Sequence, residues 1–362
     1  MNAPRVMGSE YMEWAKTCSQ TKYNLASSDL LHFPLAELPA KFSDFEITGP
    51  GGYGYPLLQE AIAKKSGVDT DCVVSSVGTS LANHIAMAAT IGPGDEVLIE
   101  HPTYELILST ARYLGASVKT FHRRFENNFQ IDVRDVEQGI TRKTRLIIIT
   151  NLHNPSSART DEMTLRRLGE LARSVGARVL VDEVYLDAVF DKRPRPAFQL
   201  GSEFITTNSL TKVYGLSGLR CGWILAEPDL ARTMWRLTDL FHSSHVHIAE
   251  LLSVIAFKNL KKITARARSL LDTNRTLINT LYRTRSDIVS FPHESGLVTF
   301  PRLKIENTDS LCSLLLRKYD TSVVPGRFFG MPEHIRIAVG QESEMMKAGL
   351  TRIANALDEM ES

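Results

Sequence analysis

Residues 208–223 hold the groups whose types and spacing suggest chemistry: Ser209, Lys212 and Arg220, set among Gly215, Gly218 and Gly222. The apolar run 204–207 leads into them and reads as a buried strand. An ammonium group just past a buried strand is costly without a partner. A covalent use explains its placement. A partly desolvated lysine loses its proton more readily and can form a Schiff base with a carbonyl compound. Ser209 and Arg220 are suitable donors for a phosphate on that compound, with the guanidinium forking two bonds onto it. The glycines let backbone pass close to a ligand. Read alone, the stretch also fits a surface loop with ordinary basic residues.

Further stretches place polar groups at the ends of apolar runs. Residues 72–76 read as a short strand, followed by Gly78, Thr79 and Ser80 and a helix over 81–91. A glycine and two hydroxyls at a helix start offer free N–H groups to an anion, although Thr or Ser makes a plain N-cap equally well. Paired with Ser209 and Arg220, they read as a phosphate cradle. Leu146, Ile147, Ile148 and Ile149 run in succession within a strand over 145–150, as expected for a sheet covered on both faces. That strand ends in Asn151-Leu152-His153-Asn154-Pro155-Ser156-Ser157, and open α/β sheets place ligands at such carboxyl ends. The strand over 178–181 ends in Asp182, Glu183, Val184 and Tyr185. A carboxylate there needs a cationic partner, or else caps a helix. Arg336, between Ile335 and Ile337 in a strand over 334–338, wants a carboxylate from a ligand or from a structural ion pair.

The order Ser-x-x-Lys followed by Gly-x-x-Gly-x-Arg-x-Gly resembles the cofactor-lysine signature of the pyridoxal-phosphate (PLP) aminotransferases of fold type I, class I/II. Residues 78–83, 151–157 and 182–185 match the same family in the same order, and the likeness runs from roughly 51 to 340. The resemblance implies PLP on Lys212, with its phosphate held by Gly78, Thr79, Ser80, Ser209 and Arg220. It implies Asp182 on the pyridine nitrogen, Asn154 and Tyr185 on the ring oxygen, and Tyr104 stacked on the ring. Arg336 matches the clamp for a substrate α-carboxylate, alongside Asn154. Lys212, Asp182 and Tyr185 would carry the chemistry, with the freed lysine removing and returning the α-proton. The family's tyrosine that reaches the neighbouring subunit's phosphate counts to Gly49 here, so Tyr53 or Tyr55 takes that role or it is lost. The usual glycine of Asn-Pro-x-Gly is Ser157.

The elements that must position these groups alternate strands and helices. The fold class expected is α/β: a large domain with a mostly parallel mixed sheet covered by helices, the PLP-dependent transferase fold, plus a smaller α+β domain. Its division is read as an N-terminal arm over 1–45 packing with the small domain, a PLP-binding domain over 46–245 and a C-terminal domain over 246–362. Helices are expected over 57–66, 160–175, 227–238, 309–318 and, largely, 248–283.

Composition bounds the function. With 42 Lys and Arg against 41 Asp and Glu, the net charge of +1 gives no electrostatic argument for nucleic acid or membrane binding. No apolar run reaches membrane-spanning length, and the N-terminus lacks a signal-peptide pattern. The four scattered cysteines read as reduced thiols in a cytoplasmic protein. His242, His245 and His247 lie at spacings of three and two with no carboxylate or thiol nearby, so no metal is expected. The function expected is transfer of an amino group between an amino acid and a 2-oxo acid, in a homodimer. The alternative on the same residues is a PLP-dependent lyase, cyclase or synthase. Fewer than about fifty residues precede the matched region, too few for the DNA-binding domain of an aminotransferase-like regulator. The histidines, if they line the side-chain pocket, suit a polar or aromatic substrate.

Overall fold

The structure is a computed structural model that describes residues 8–305 and 307–361. The first seven residues of the expected arm lie outside it. At the centre is a seven-stranded sheet in the order Val73–Val77, Cys221–Leu225, Phe204–Ser209, Arg178–Asp182, Thr144–Thr150, Glu96–His101 and Ser117–His122. Cys221–Leu225 runs antiparallel to both neighbours, and the remaining pairs are parallel. The expected mixed, mostly parallel sheet is therefore present.

The unbroken apolar run in Thr144–Thr150 follows from burial on both faces. Leu146 and Ile148 pack into a core with Ala82, Ile85 and Met234, while Ile147 and Ile149 pack oppositely with Leu165 and Leu168. Successive side chains alternate faces, so a strand with helices above and below has no polar position in its middle. The covering helices include Gly78–Ala88, Glu162–Val175 and Pro228–Thr238. The first begins three residues before the expected 81, because Gly78 itself takes the first helical position with φ 80°.

The C-terminal part contains a three-stranded antiparallel sheet, Val298–Thr299, Ile335–Ala338 and Val324–Pro325. The expected single helical run over 248–283 is two helices, His247–Lys258 and Leu260–Thr284, meeting at Asn259. The Asn259 side chain bonds the Ile255 carbonyl at 2.8 Å, a local competitor to helix continuation. The helix Ser343–Glu361 was not read from the sequence, although Met346, Leu350, Ile353 and Leu357 are buried at helical spacing. From the N-terminal arm, Tyr23–Asn24 pairs in parallel with Thr321–Ser322. Among the described residues, no helix is long and apolar enough to cross a membrane.

Glu100 and Arg123 are fully buried against the sheet's carboxyl end and pair at 2.7 Å. Glu100 also accepts from the Thr150 amide at 2.7 Å and hydroxyl at 2.6 Å, and Arg123 donates to the Phe129 carbonyl at 2.5 Å. Removing one member strands the other charge in a dry interior. Glu100→Ala is expected to cost ~3–5 kcal/mol in denaturant unfolding, against less than about 1 kcal/mol for Glu162→Ala, whose arginine partners are on the surface.

Candidate active site

The carboxyl ends of the central strands open into a cavity of about 540 Å³. Its lining includes Thr79, Ser80, Tyr104, Asn154, Asp182, Tyr185, Ser209, Lys212 and Arg220. The sheet brings these residues together because its parallel strands end on one side.

Asp182 closes the strand Arg178–Asp182 and is buried. The Asn83 side-chain amide donates to it at 2.7 Å and the Val184 amide at 3.0 Å. Asn83 is itself fixed by a 2.6 Å bond from the Thr207 hydroxyl on the next strand. Burial pushes the Asp182 carboxyl up to about 6, against the pull of Asn83, Val184 and Lys212. A cation held against it, such as a protonated ring nitrogen, would keep it ionised.

Lys212 stands three residues beyond the strand Phe204–Ser209. Its ammonium lies 2.5 Å from Asp29 Oδ1 and 3.2 Å from Ser28 Oγ. The sequence suggested an ammonium that burial would leave easily deprotonated. Burial is the largest influence and pulls that way, but Asp29, Tyr185 and Tyr11 together outweigh it, and Lys212 is held above its ordinary value.

The helix Gly78–Ala88 starts without a side-chain cap at Val77, so the N–H groups of its first turn remain available. A Cβ at Gly78 would overlap the Arg220 guanidinium, and one at Gly222 would come 2.5 Å from the Gly78 carbonyl carbon. The two glycines thus let Arg220 lie directly over the helix start. The hydroxyls of Thr79 and Thr211 are buried, line the cavity and have no hydrogen-bond partner. Unpaired buried hydroxyls beside a helix N-terminus and an arginine suit a phosphate. Ser209 Oγ accepts from the Thr211 amide at 3.2 Å.

Asn154 faces Tyr185, with 3.5 Å between its side-chain amide nitrogen and the phenol oxygen. Its Oδ1 accepts from Arg336 Nη1 at 3.0 Å. Arg336, fully buried, also donates through Nη2 to Tyr11 Oη at 2.7 Å and the Ala26 carbonyl at 3.1 Å. Its Nε has no hydrogen-bond partner. Tyr104 caps the helix Glu105–Tyr113 and packs edge-on against Tyr11 with ring centres 5.9 Å apart.

Other expected residues fall elsewhere. Tyr53, expected to act at the neighbouring subunit, lies outside the cavity of its own chain: it is half exposed, and its hydroxyl bonds Asp239 at 2.9 Å. The glycine turn carries it outward, past Trp235. Tyr55 packs edge-on against His247, away from the cavity lining. His245 bonds Ser75 at 3.2 Å and His247 bonds Glu250 at 3.1 Å, so neither lines the pocket as a specificity group. Among the described residues no cluster of His, Cys, Asp and Glu could hold a metal. Ser157 takes the glycine-like φ of 62°, and its hydroxyl offsets the strain with a 2.6 Å bond to the Val298 carbonyl.

Sequence reasoning missed Tyr11, Ser28, Asp29, Asn83 and Thr211. Thr211 lies inside the Ser209–Lys212 stretch and Asn83 one helical turn past Ser80, so spacing alone could have raised both. Tyr11, Ser28 and Asp29 reach the cavity only through the path of the arm.

Residues 21–353 match the family model described as Aminotransferase class I and II. The chain is 29% identical to capreomycidine synthase of Streptomyces vinaceus, covering 93% of this chain and 90% of that protein. It is 26% identical to an aspartate aminotransferase of Streptomyces avermitilis over 86% of this chain and 81% of the relative. In fold it is similar to a PLP-dependent aminotransferase from Streptococcus suis, with a TM-score of 0.93, 24% identity and full coverage of both chains. A match over this much of the chain, on a cavity whose unpaired groups suit a phosphate and a ring cation, settles the family: the chain belongs to the class I and II aminotransferases, and its cofactor is pyridoxal 5′-phosphate.

Proposed function

We propose that this chain moves an amino group between an amino acid and a 2-oxo acid at the cavity around Lys212. The observation that carries the reading is the buried Arg336, whose Nε lacks an acceptor and whose Nη1 bonds Asn154, a residue of the cavity lining. A substrate carboxylate supplies what that arginine lacks.

Thr79, Ser80, Ser209, Thr211, Arg220 and the start of Gly78–Ala88 would hold the cofactor phosphate. Asp182 would hold the ring nitrogen, Asn154 and Tyr185 the ring oxygen, and Tyr104 a ring face. When bound, the cofactor supplies an electron sink that makes the α-proton of an attached amino acid removable. Lys212 Nζ would take that proton from the α-carbon and return it to the cofactor carbon on the other side of the amine nitrogen. Asp182, held by Asn83 and the Val184 amide, would keep the ring nitrogen protonated. Arg336 fixes the carboxylate and so sets which α-carbon bond is presented. Tyr11 and its helix cover the cavity from the outside and limit water.

A homodimer suits the exposed apolar side chains Leu57, Leu240 and Val246, which a single chain leaves in water. The four free thiols suit the cytoplasm. Boundaries near 45 and 246 divide the chain into arm, large domain and small domain. A second reading is favoured by one observation. The relative named capreomycidine synthase aligns over nearly the whole chain, so the same residues would equally serve a PLP-dependent synthase, cyclase or lyase.

The test is the cofactor-loaded chain mixed with single amino acids and no 2-oxo acid. Transamination yields stoichiometric 2-oxo acid and the aminated cofactor. Continued release of ammonia or a cyclised product while the original visible band persists contradicts it and supports the second reading. Lys212→Ala is expected to reduce turnover by at least about 10³-fold. Arg336→Ala, with its circular dichroism unchanged, is expected to raise KM for amino acid and 2-oxo acid alike by about 10- to 100-fold. Steady-state kinetics on both substrates checks it.

A further inference from the structure

Once cofactor and substrate are matched to the cavity, Lys16 and one carboxylate of its lining remain. Arg220 answers the phosphate, Asp182 the ring nitrogen and Arg336 the substrate carboxylate. Asp29 is left, a carboxylate on the arm that lines the cavity 2.5 Å from Lys212 Nζ.

Its place is held by backbone on both sides. The Leu30 amide donates to the carbonyl of Lys212 itself at 3.1 Å, and the Phe33 amide donates to the Gly215 carbonyl at 2.9 Å. A Cβ on Gly215 would come 2.5 Å from the Leu31 carbonyl oxygen, so the glycine permits this approach. On the other side the Leu31 amide donates to the Gly340 carbonyl at 2.7 Å, and the Gln341 side chain donates to the Ser27 carbonyl at 3.0 Å. The arm is laid between the lysine loop and the end of the strand Ile335–Ala338, with Asp29 directed at Nζ. A flexible surface carboxylate would need no such anchoring.

We propose that Asp29 is a positioning residue for Lys212, fixing both the place and the charge of the amine that moves the α-proton. In the cofactor-free chain the carboxylate holds Nζ as an ammonium in the cavity, and once substrate has displaced Nζ from the cofactor it keeps the freed amine beside the α-carbon. Ser28, 3.2 Å from Nζ, adds a second contact from the same segment. The other titratable groups acting on Nζ are Tyr185 and Asp182 at the end of Arg178–Asp182, and Tyr11 on the first helix. Asp29 is the largest favourable influence among them, and it opposes burial.

The inference rests on Lys212 being the cofactor lysine, which the Lys212→Ala chain tests separately. The experiment here has two readouts. In the cofactor-free full chain, modification of Lys212 by trinitrobenzenesulfonate is followed against pH by peptide mass spectrometry. In the loaded chain, the visible cofactor band is titrated with pH. Asp29→Asn is expected to move both curves to lower pH, by about one to three units, and Asp29→Glu to return them toward the unaltered chain. Curves that stay in place in Asp29→Asn while the band is intact overturn the inference and leave the cofactor assignment standing. The unaltered chain gives a test that needs no variant: a cofactor-free Lys212 that reacts as an amine below the ordinary lysine range also overturns it.

Discussion

A guanidinium sealed from water must be surrounded by acceptors, and Arg336 gathers its own from three separate stretches of chain. Asn154 comes from the turn after a sheet strand, Tyr11 from the first helix and the Ala26 carbonyl from the arm. None of these is its neighbour in sequence. Satisfying one buried cation therefore fixes the small sheet, the arm and the sheet's ligand-binding edge relative to one another. Rings complete the enclosure, with Tyr11 and Phe329 centred 5.4 and 5.3 Å from the guanidinium carbon. The arrangement leaves Nε without an acceptor of its own.

Beneath the lysine loop lies a second buried charge network. Asp187 accepts from Lys65 at 2.9 Å and from Asn208 at 3.2 Å, and pairs with Arg193 at 2.6 Å. Lys65 also sits 5.3 Å from the centre of the Trp223 ring. Asn208 precedes Ser209, so this network braces the strand end that leads to Lys212. Arg220 and Ser80, also in the cavity lining, are by contrast exposed in the single chain.

Much of this was legible because the ligand groups sit at strand ends, where an apolar run stops and a polar cluster begins. Ser209, Lys212, Asp182 and Asn154 all carry that local signal, and they converge because parallel strands end together. Burial of a lysine was a poorer guide. Lys65 is more buried than Lys212 and is a structural ion pair, and the charge of Lys212 depends on Asp29, 183 positions away in a segment without regular pattern. Tyr53 and Tyr55 lie outside the cavity of their own chain, and the family's count itself falls on Gly49. The C-terminal helix had clear periodicity and was missed for want of a motif. Ser157 stands where the family pattern has glycine and keeps a glycine-like φ of 62°, with its hydroxyl bonded to the Val298 carbonyl.

The central claim is that the cofactor is carried by Lys212 in this cavity. Borohydride reduction of the loaded chain, followed by proteolysis and peptide mass spectrometry, tests it most directly. The account predicts one pyridoxyl-phosphate adduct per chain, on the peptide containing Lys212. An adduct on Lys65, Lys16 or a surface lysine, or no adduct in a chain that binds the cofactor, would contradict it.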